Sequence, residues 1–144
     1  MRRPHILIPL WLLLLASDAY ATDKLPAAAK KKIDFGKDIR PLLQKHCVSC
    51  HGNKKQESGL RLDRREFARS GGDRGVAFEA GKSRESLLIR YIAGLDPDIT
   101  MPPKGDLLSP RQVGLFLAWI DQGADWPASA DPERKPADHW AYQP

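Results

Sequence analysis

Both cysteines of this 144-residue chain fall in one stretch, KHCVSCHGN at residues 45–53, two residues apart and followed directly by a histidine. This removes the long-loop disulfide on which many small exported chains rely. A Cys47–Cys50 bridge would close so short a loop that it would take little freedom from the unfolded chain, because the stabilisation grows with the loop closed. The pair is therefore read as chemical, and the core must come from elsewhere.

The chain opens MRRPHILIPLWLLLLASDAYATDK, with Arg2 and Arg3 before an apolar run, Ile6 to Leu15, broken only by Pro9, and a small-x-small Ala19-Tyr20-Ala21. That layout predicts a secretory signal peptide over residues 1–21, cut after Ala21. The run is about half the length that spans a bilayer, and nothing later is apolar and long enough, so no stable membrane span is expected after cleavage. Pro4 and His5 directly follow the arginine pair, which favours the general secretory route over twin-arginine export. The expected location is the periplasm or an equivalent extracytoplasmic space. Removing Arg2, Arg3 and Asp18 takes the formal charge from +5 to +4. The basic residues are scattered and no aromatic stacking platform lies between them, so nucleic acid is a poor partner.

Residues 22–33 are small and lysine-rich and read as a flexible leader; residues 34–126 read as the folded domain and 127–144 as a proline- and charge-rich tail or linker. In DFGKDIRPLLQKHC, Phe35, Ile39, Leu42, Leu43 and His46 form a helical stripe, with Asp38 the expected N-cap and Pro41 in the first turn. A short helix is expected around Arg64 to Arg69, followed by turns at Gly71-Gly72 and Gly75. KSRESLLIRYIAG predicts a helix capped by Ser83 and stopped at Gly94. LDPDITMPPKGD is a loop, since Pro97, Pro102 and Pro103 break helix and inner strand alike. LSPRQVGLFLAWIDQGADW predicts a helix with Ser109 as N-cap and Pro110 first, burying Val113, Phe116, Leu117 and Ile120 with Trp119 beside them and stopping at Gly123. Three or four short helices without a convincing strand make an all-α fold whose core is thin for its length. Something else is expected to fill the middle.

Three chemistries compete for Cys47 and Cys50. A structural zinc site needs four ligands, commonly as two pairs; this chain offers one pair with His46, His51 and His139. A thioredoxin-like dithiol belongs beside a strand in a sheet fold, and no strand precedes this one. The third is C-x-x-C-H, the attachment sequence of a c-type haem, in which both sulfurs form thioethers and His51 is the proximal iron ligand, its other nitrogen hydrogen-bonded to a carbonyl. An export signal and the lack of other cysteines agree with this third use. One covalent haem c would supply the missing core.

The opposite face of such an iron needs a ligand. Met101 is the one methionine left after the signal, and it lies in TMPP, where Pro102 and Pro103 stiffen the loop. A lone methionine is ordinarily packing, but a polar proline loop is an unusual place for packing. His139 could reach from the tail, whereas His46, next to Cys47 on the proximal side, could hardly pass round the ring. Asp96 and Asp98 are read as turn formers rather than acid–base groups.

The ordered blocks DFGKDIRPLLQKHCVSCHG, GLRLD, GKSRESLLIRYI, MPP, LSPRQVGLFLAWIDQGADW and HWAYQP resemble the planctomycete-type cytochrome c domain, over about Ile33 to Pro144. The resemblance implies a class I cytochrome c-like helical fold wrapped around a covalently attached haem, with Cys47 and Cys50 as thioether positions and His51 and Met101 as axial ligands. In that family the domain often stands at the front of longer proteins, so the chain is either a free-standing cytochrome or part of something longer. The expected function is one-electron transfer without an independent catalytic site. A ligand- or peroxide-reactive haem and a module wiring a larger enzyme are the alternatives. The expected partner is a redox protein; Arg61, Arg64, Arg65, Arg69 and Arg74 are the candidate docking surface for it, against the plainer and favoured reading of a solvated basic face.

Overall fold

A computed structural model describes residues 25–133; the expected signal peptide and His139 lie outside them. Among the described residues there are helices and turns, two isolated bridges and no strand, as an all-α class requires. No helix among them is long and apolar enough to cross a membrane.

The first helical segment starts earlier than the proline rule suggests. Asp34, in extended conformation, is the N-cap, its carboxylate accepting the Lys37 N–H at 2.9 Å. Asp38 is not the cap: its Oδ2 accepts the Asp34 N–H at 3.0 Å, so the two carboxylates brace one turn from opposite ends. That turn, Phe35–Ile39, is π-helical and is closed by Arg40 N–H on the Phe35 carbonyl. Helix α1, Arg40–His46, follows with Pro41 in its first turn. Proline has no N–H to donate, and the wider turn before it lets the chain wind helically on both sides. Phe35, Ile39 and Leu43 are buried along the expected stripe.

Helix α2, Arg65–Ser70, runs into a tight reversal in which Gly72 and Gly75 exchange backbone hydrogen bonds of 3.0 and 2.9 Å. Helix α3, Leu87–Ile92, is preceded by a 3-10 turn, Ser83–Glu85. Ser83 is therefore not its cap. It is buried, and its N–H points 3.3 Å from the Asp121 carboxylate, so docking to another helix has claimed the residue; Ser86 takes the N-cap position without a capping bond. Gly94, with φ of 64°, ends the helix as expected. Helix α4, Pro110–Asp121, has the full capping box: Ser109 Oγ accepts the Gln112 N–H and Gln112 Oε1 accepts the Ser109 N–H.

Helix α4 is the axis of the core. Its Val113, Phe116, Leu117, Trp119 and Ile120 are buried against the π turn and α3. Trp119 sits centrally, with ring centroids of Phe78 at 4.9 Å, Phe35 at 5.7 Å and Trp126 at 6.4 Å. Its indole N–H donates to the Asp125 carbonyl at 2.8 Å, so the buried donor is satisfied. The segment read from sequence as leader crosses this helix: Ala29 N–H donates to the Gly114 carbonyl, and a side chain on Gly114 would come within 2.6 Å of the Ala27 carbonyl. Residues after Trp126 turn back towards α2, where Asp131 Oδ1 accepts both the Trp126 indole N–H at 2.8 Å and the Arg65 backbone N–H at 3.0 Å.

Candidate functional site

Cys47 terminates α1, its N–H donating to the Leu43 carbonyl. The chain then winds one more turn, with the N–H groups of Cys50 and His51 both donating to the Cys47 carbonyl at 3.0 and 2.8 Å. The two thiols are free and half-buried, held on a single turn. Burial pushes the Cys47 thiol up to about 12, with the neighbouring Cys50 adding to it. Near neutral pH Cys47 is thus a neutral sulfur against the core, where it packs with the apolar cluster. A thiolate metal ligand would need the opposite environment. Among the described residues no group of three or more His, Cys, Asp or Glu is placed to hold a metal ion.

His51 is fixed from both sides. Its carbonyl accepts the Leu62 N–H at 2.8 Å, while the carbonyl of Cys50 accepts the Glu57 N–H at 3.0 Å. Its ring nitrogen Nδ1 is buried with no hydrogen-bond partner, so the carbonyl expected to hold the second nitrogen does not reach it there. An unpaired buried imidazole nitrogen carries a desolvation cost of about 1–3 kcal/mol, which a bound group would relieve. His46 has the same defect at Nε2, on the helix side of the cysteines. A neutral, half-buried sulfur packed against the core, a second thiol one turn away and an adjacent imidazole with unmet bonding capacity fit a covalently attached haem. They fit a free zinc or a dithiol less well.

Met101 borders the same core. It is half-buried and packs against the apolar cluster, as Cys47 does. Its N–H donates to the Tyr91 carbonyl at 3.1 Å, joining its loop to α3. The loop lines an open concavity of ≈ 600 Å³ formed by residues 98–105, Met101 and Ile99 among them, together with the exposed Leu107. The Cys47–His51 turn does not line this concavity.

The five arginines read as a docking group are placed very differently. Arg61 forms a two-pronged ion pair with Asp63, at 2.9 and 2.7 Å, and its guanidinium lies 4.0 Å over the Phe67 ring. Arg64 is buried and reaches the Glu133 carbonyl; Arg65 bonds to Asp131 and to the Trp126 carbonyl. Arg69 and Arg74 are exposed. Alternation along the extended segment before α2 explains the split: Leu62 and Arg64 face inward and Arg61 and Asp63 pair on the other side.

Sequence reading missed the polar anchor of the Met101 loop. Arg90 Nε lies 3.0 Å from Asp96 Oδ2, while Asp96 Oδ1 accepts the N–H groups of Asp98 and Ile99. Asp before Pro97 signalled a turn, but nothing in the spacing of Arg90 signalled its partner.

A family model described as Planctomycete cytochrome C matches residues 47–105, from the first cysteine into the Met101 loop. No curated protein and no solved structure matches the chain. The matched span contains the cysteine turn, the histidine and the methionine loop whose placement is described above. Over residues 47–105 the chain is thus similar to the planctomycete cytochrome C family.

Proposed function

We propose that this chain is an exported one-electron carrier holding one haem c through Cys47 and Cys50, with His51 and Met101 as the axial ligands. The observation that carries the reading is the single turn Cys47–His51, which sets two free thiols beside an imidazole whose buried nitrogen has no partner. The haem, when bound, would supply an iron able to take up and give back one electron, and His51 with Met101 as the residues holding it would favour a higher potential than a more basic pair. The protein's own contribution is to bind and to exclude water. Cys47 offers its sulfur from an apolar setting, Leu62 is pinned to His51 by the backbone, and Met101 offers a neutral thioether from a loop tied to α3. With both His51 and Met101 holding the group, no place would be left for substrate, which favours electron transfer over ligand or peroxide chemistry. The redox partner is proposed to dock at the exposed Arg69 and Arg74 of the arginine group, since Arg61, Arg64 and Arg65 are engaged within the fold.

The reading is tested by exporting the chain alongside haem-attachment machinery, denaturing it and staining for haem. Wild type should retain the stain, Cys47→Ser with Cys50→Ser should lose it, and Met101→Ala should keep it while the reduction potential falls and reduced iron binds carbon monoxide. A wild-type chain without covalent haem overturns the reading. Docking is tested separately: charge reversal at Arg69 and Arg74 should flatten the salt dependence of electron-transfer rate.

A further inference from the structure

The carboxylate of Asp96 is the hub of the loop that carries Met101. Its Oδ1 accepts the N–H of Asp98 at 3.1 Å and that of Ile99 at 3.0 Å, closing an Asx turn over Pro97. Its Oδ2 lies 3.0 Å from Arg90 Nε on α3. Two backbone bonds run parallel to this link: Leu95 N–H to the Arg90 carbonyl at 2.9 Å, and Met101 N–H to the Tyr91 carbonyl at 3.1 Å. The Asp96 side chain is 14% exposed and Arg90 is 54% exposed, so the hub itself is shielded although its cation is wet.

Little else holds this loop. Pro97, Asp98, Thr100, Pro103, Lys104 and Gly105 are exposed, and Ile99, Met101 and Pro102 are only half-buried. Segments with few buried apolar contacts open locally at low cost. A thioether is a weak ligand, so each opening would release it. Beyond the contact of Met101 with the apolar cluster, what holds the loop is polar, and three of the bonds converge on one carboxylate.

We propose that Asp96 is the positioning residue for the Met101 sulfur, braced by Arg90 on α3. This rests on Met101 being an iron ligand. The two N–H bonds to Oδ1 are the larger part, because the ion pair to a half-exposed arginine is screened. Asp96→Asn keeps an acceptor for the turn and loses the charge, whereas Asp96→Ala loses all three bonds.

The test uses the full exported, haem-loaded chain with Met101→Ala, Asp96→Ala and Asp96→Asn. The readouts are the sulfur-to-iron absorption band of the oxidised protein and the rate at which cyanide binds ferric iron. Asp96→Ala should weaken the band and speed cyanide binding by about tenfold or more, the scale of one to two lost net hydrogen bonds. Asp96→Asn should lie between it and wild type, with the haem stain unchanged in both. If Met101→Ala alters band and rate while Asp96→Ala leaves both at wild-type values, the positioning role is overturned and the ligand assignment stands. If Met101→Ala changes neither, the ligand assignment falls and this inference with it. Should Asp96→Ala yield no haem-loaded protein, Asp96→Asn and Arg90→Gln decide on the same readouts: wild-type rates in both overturn the proposal.

Discussion

The backbone N–H of Leu62 donates to the carbonyl of His51 at 2.8 Å, fastening the far end of an eleven-residue excursion to the residue from which it departs. The Glu57 N–H on the Cys50 carbonyl and the Gly52 N–H on the Lys55 carbonyl tighten the same excursion from inside. Leu62 is 2% exposed, so this bond also couples the histidine to the apolar core. The orientation of His51 is thus set by backbone, with its side chain left available.

Gly52 is where this arrangement has no slack. A Cβ there would collide with the Val48 carbonyl and lie 2.9 Å from Val48 Cγ1. Neither neighbour can yield freely, since Val48 N–H is bonded to Leu43 at the end of α1. Gly52→Ala is expected to destabilise the chain by about 1–3 kcal/mol, the scale of overpacking, and to lower the yield of covalent haem. Denaturant midpoints together with haem staining check both parts; an unchanged midpoint would show that the turn can relax.

Trp119 should be the most sensitive core position. It is 2% exposed and touches aromatic rings from the π turn, from the stretch before α3 and from the segment after α4. Trp119→Ala is expected to cost about 3–5 kcal/mol. Trp119→Phe keeps much of the volume but leaves the Asp125 carbonyl without its indole donor, adding a loss of about 1 kcal/mol. Thermal unfolding of the pair separates packing from hydrogen bonding.

The legible parts of this chain were those decided by local rules. Ser109 and Pro110 announce α4, the spacing of Val113, Phe116, Leu117 and Ile120 announces its buried face, and the structure shows both. Asp34 displaced Asp38 as a cap because a π turn, rarely signalled by sequence, moved the start of the helix. Ser83 failed as a cap because Asp121, thirty-eight residues away, offered its N–H a carboxylate. The arginines read as one charged group were divided by an extended backbone that alternates sides, and Arg90 found Asp96 only through the loop's return. Ser83 was lost to a partner distant in sequence, whereas Asp38 and the arginines were redirected by local backbone geometry that residue type does not signal. That Cys47, Cys50 and His51 share one turn was legible because they are adjacent in sequence.

Gln122 clasps the segment before Asp34 to the end of α4: its Oε1 accepts the Ile33 N–H at 2.9 Å and its Nε2 donates to the Lys31 carbonyl at 2.8 Å. Gln122→Ala removes both bonds at an exposed site, so the global loss is expected near 1 kcal/mol or below. The local effect is larger. Amide exchange at Ile33 should accelerate about tenfold, while Lys37, whose N–H is held by Asp34, should keep its protection. Equal acceleration at both would mean that the clasp supports the first turn as well.

The final prediction concerns acid. The hydrogen bond from Lys31 and, next, that from the Asp34 N–H hold the Asp38 carboxyl below its ordinary value, against a smaller opposing effect of burial. A carboxylate whose folded value is depressed contributes stability that is present above its unfolded value, about 3.9, and is lost as pH falls through the folded value. Asp38→Asn removes the charge while keeping an oxygen that can still accept the Asp34 N–H. Wild type should therefore exceed the variant in stability at neutral pH, and the gap should close below about pH 4. Added salt should narrow the gap at pH 7, because Lys31 is half-exposed and its share is screened. Unfolding free energies of the two proteins between pH 7 and pH 2 read the difference directly. A gap that stays constant into acid would assign the role of Asp38 to its shape rather than its charge.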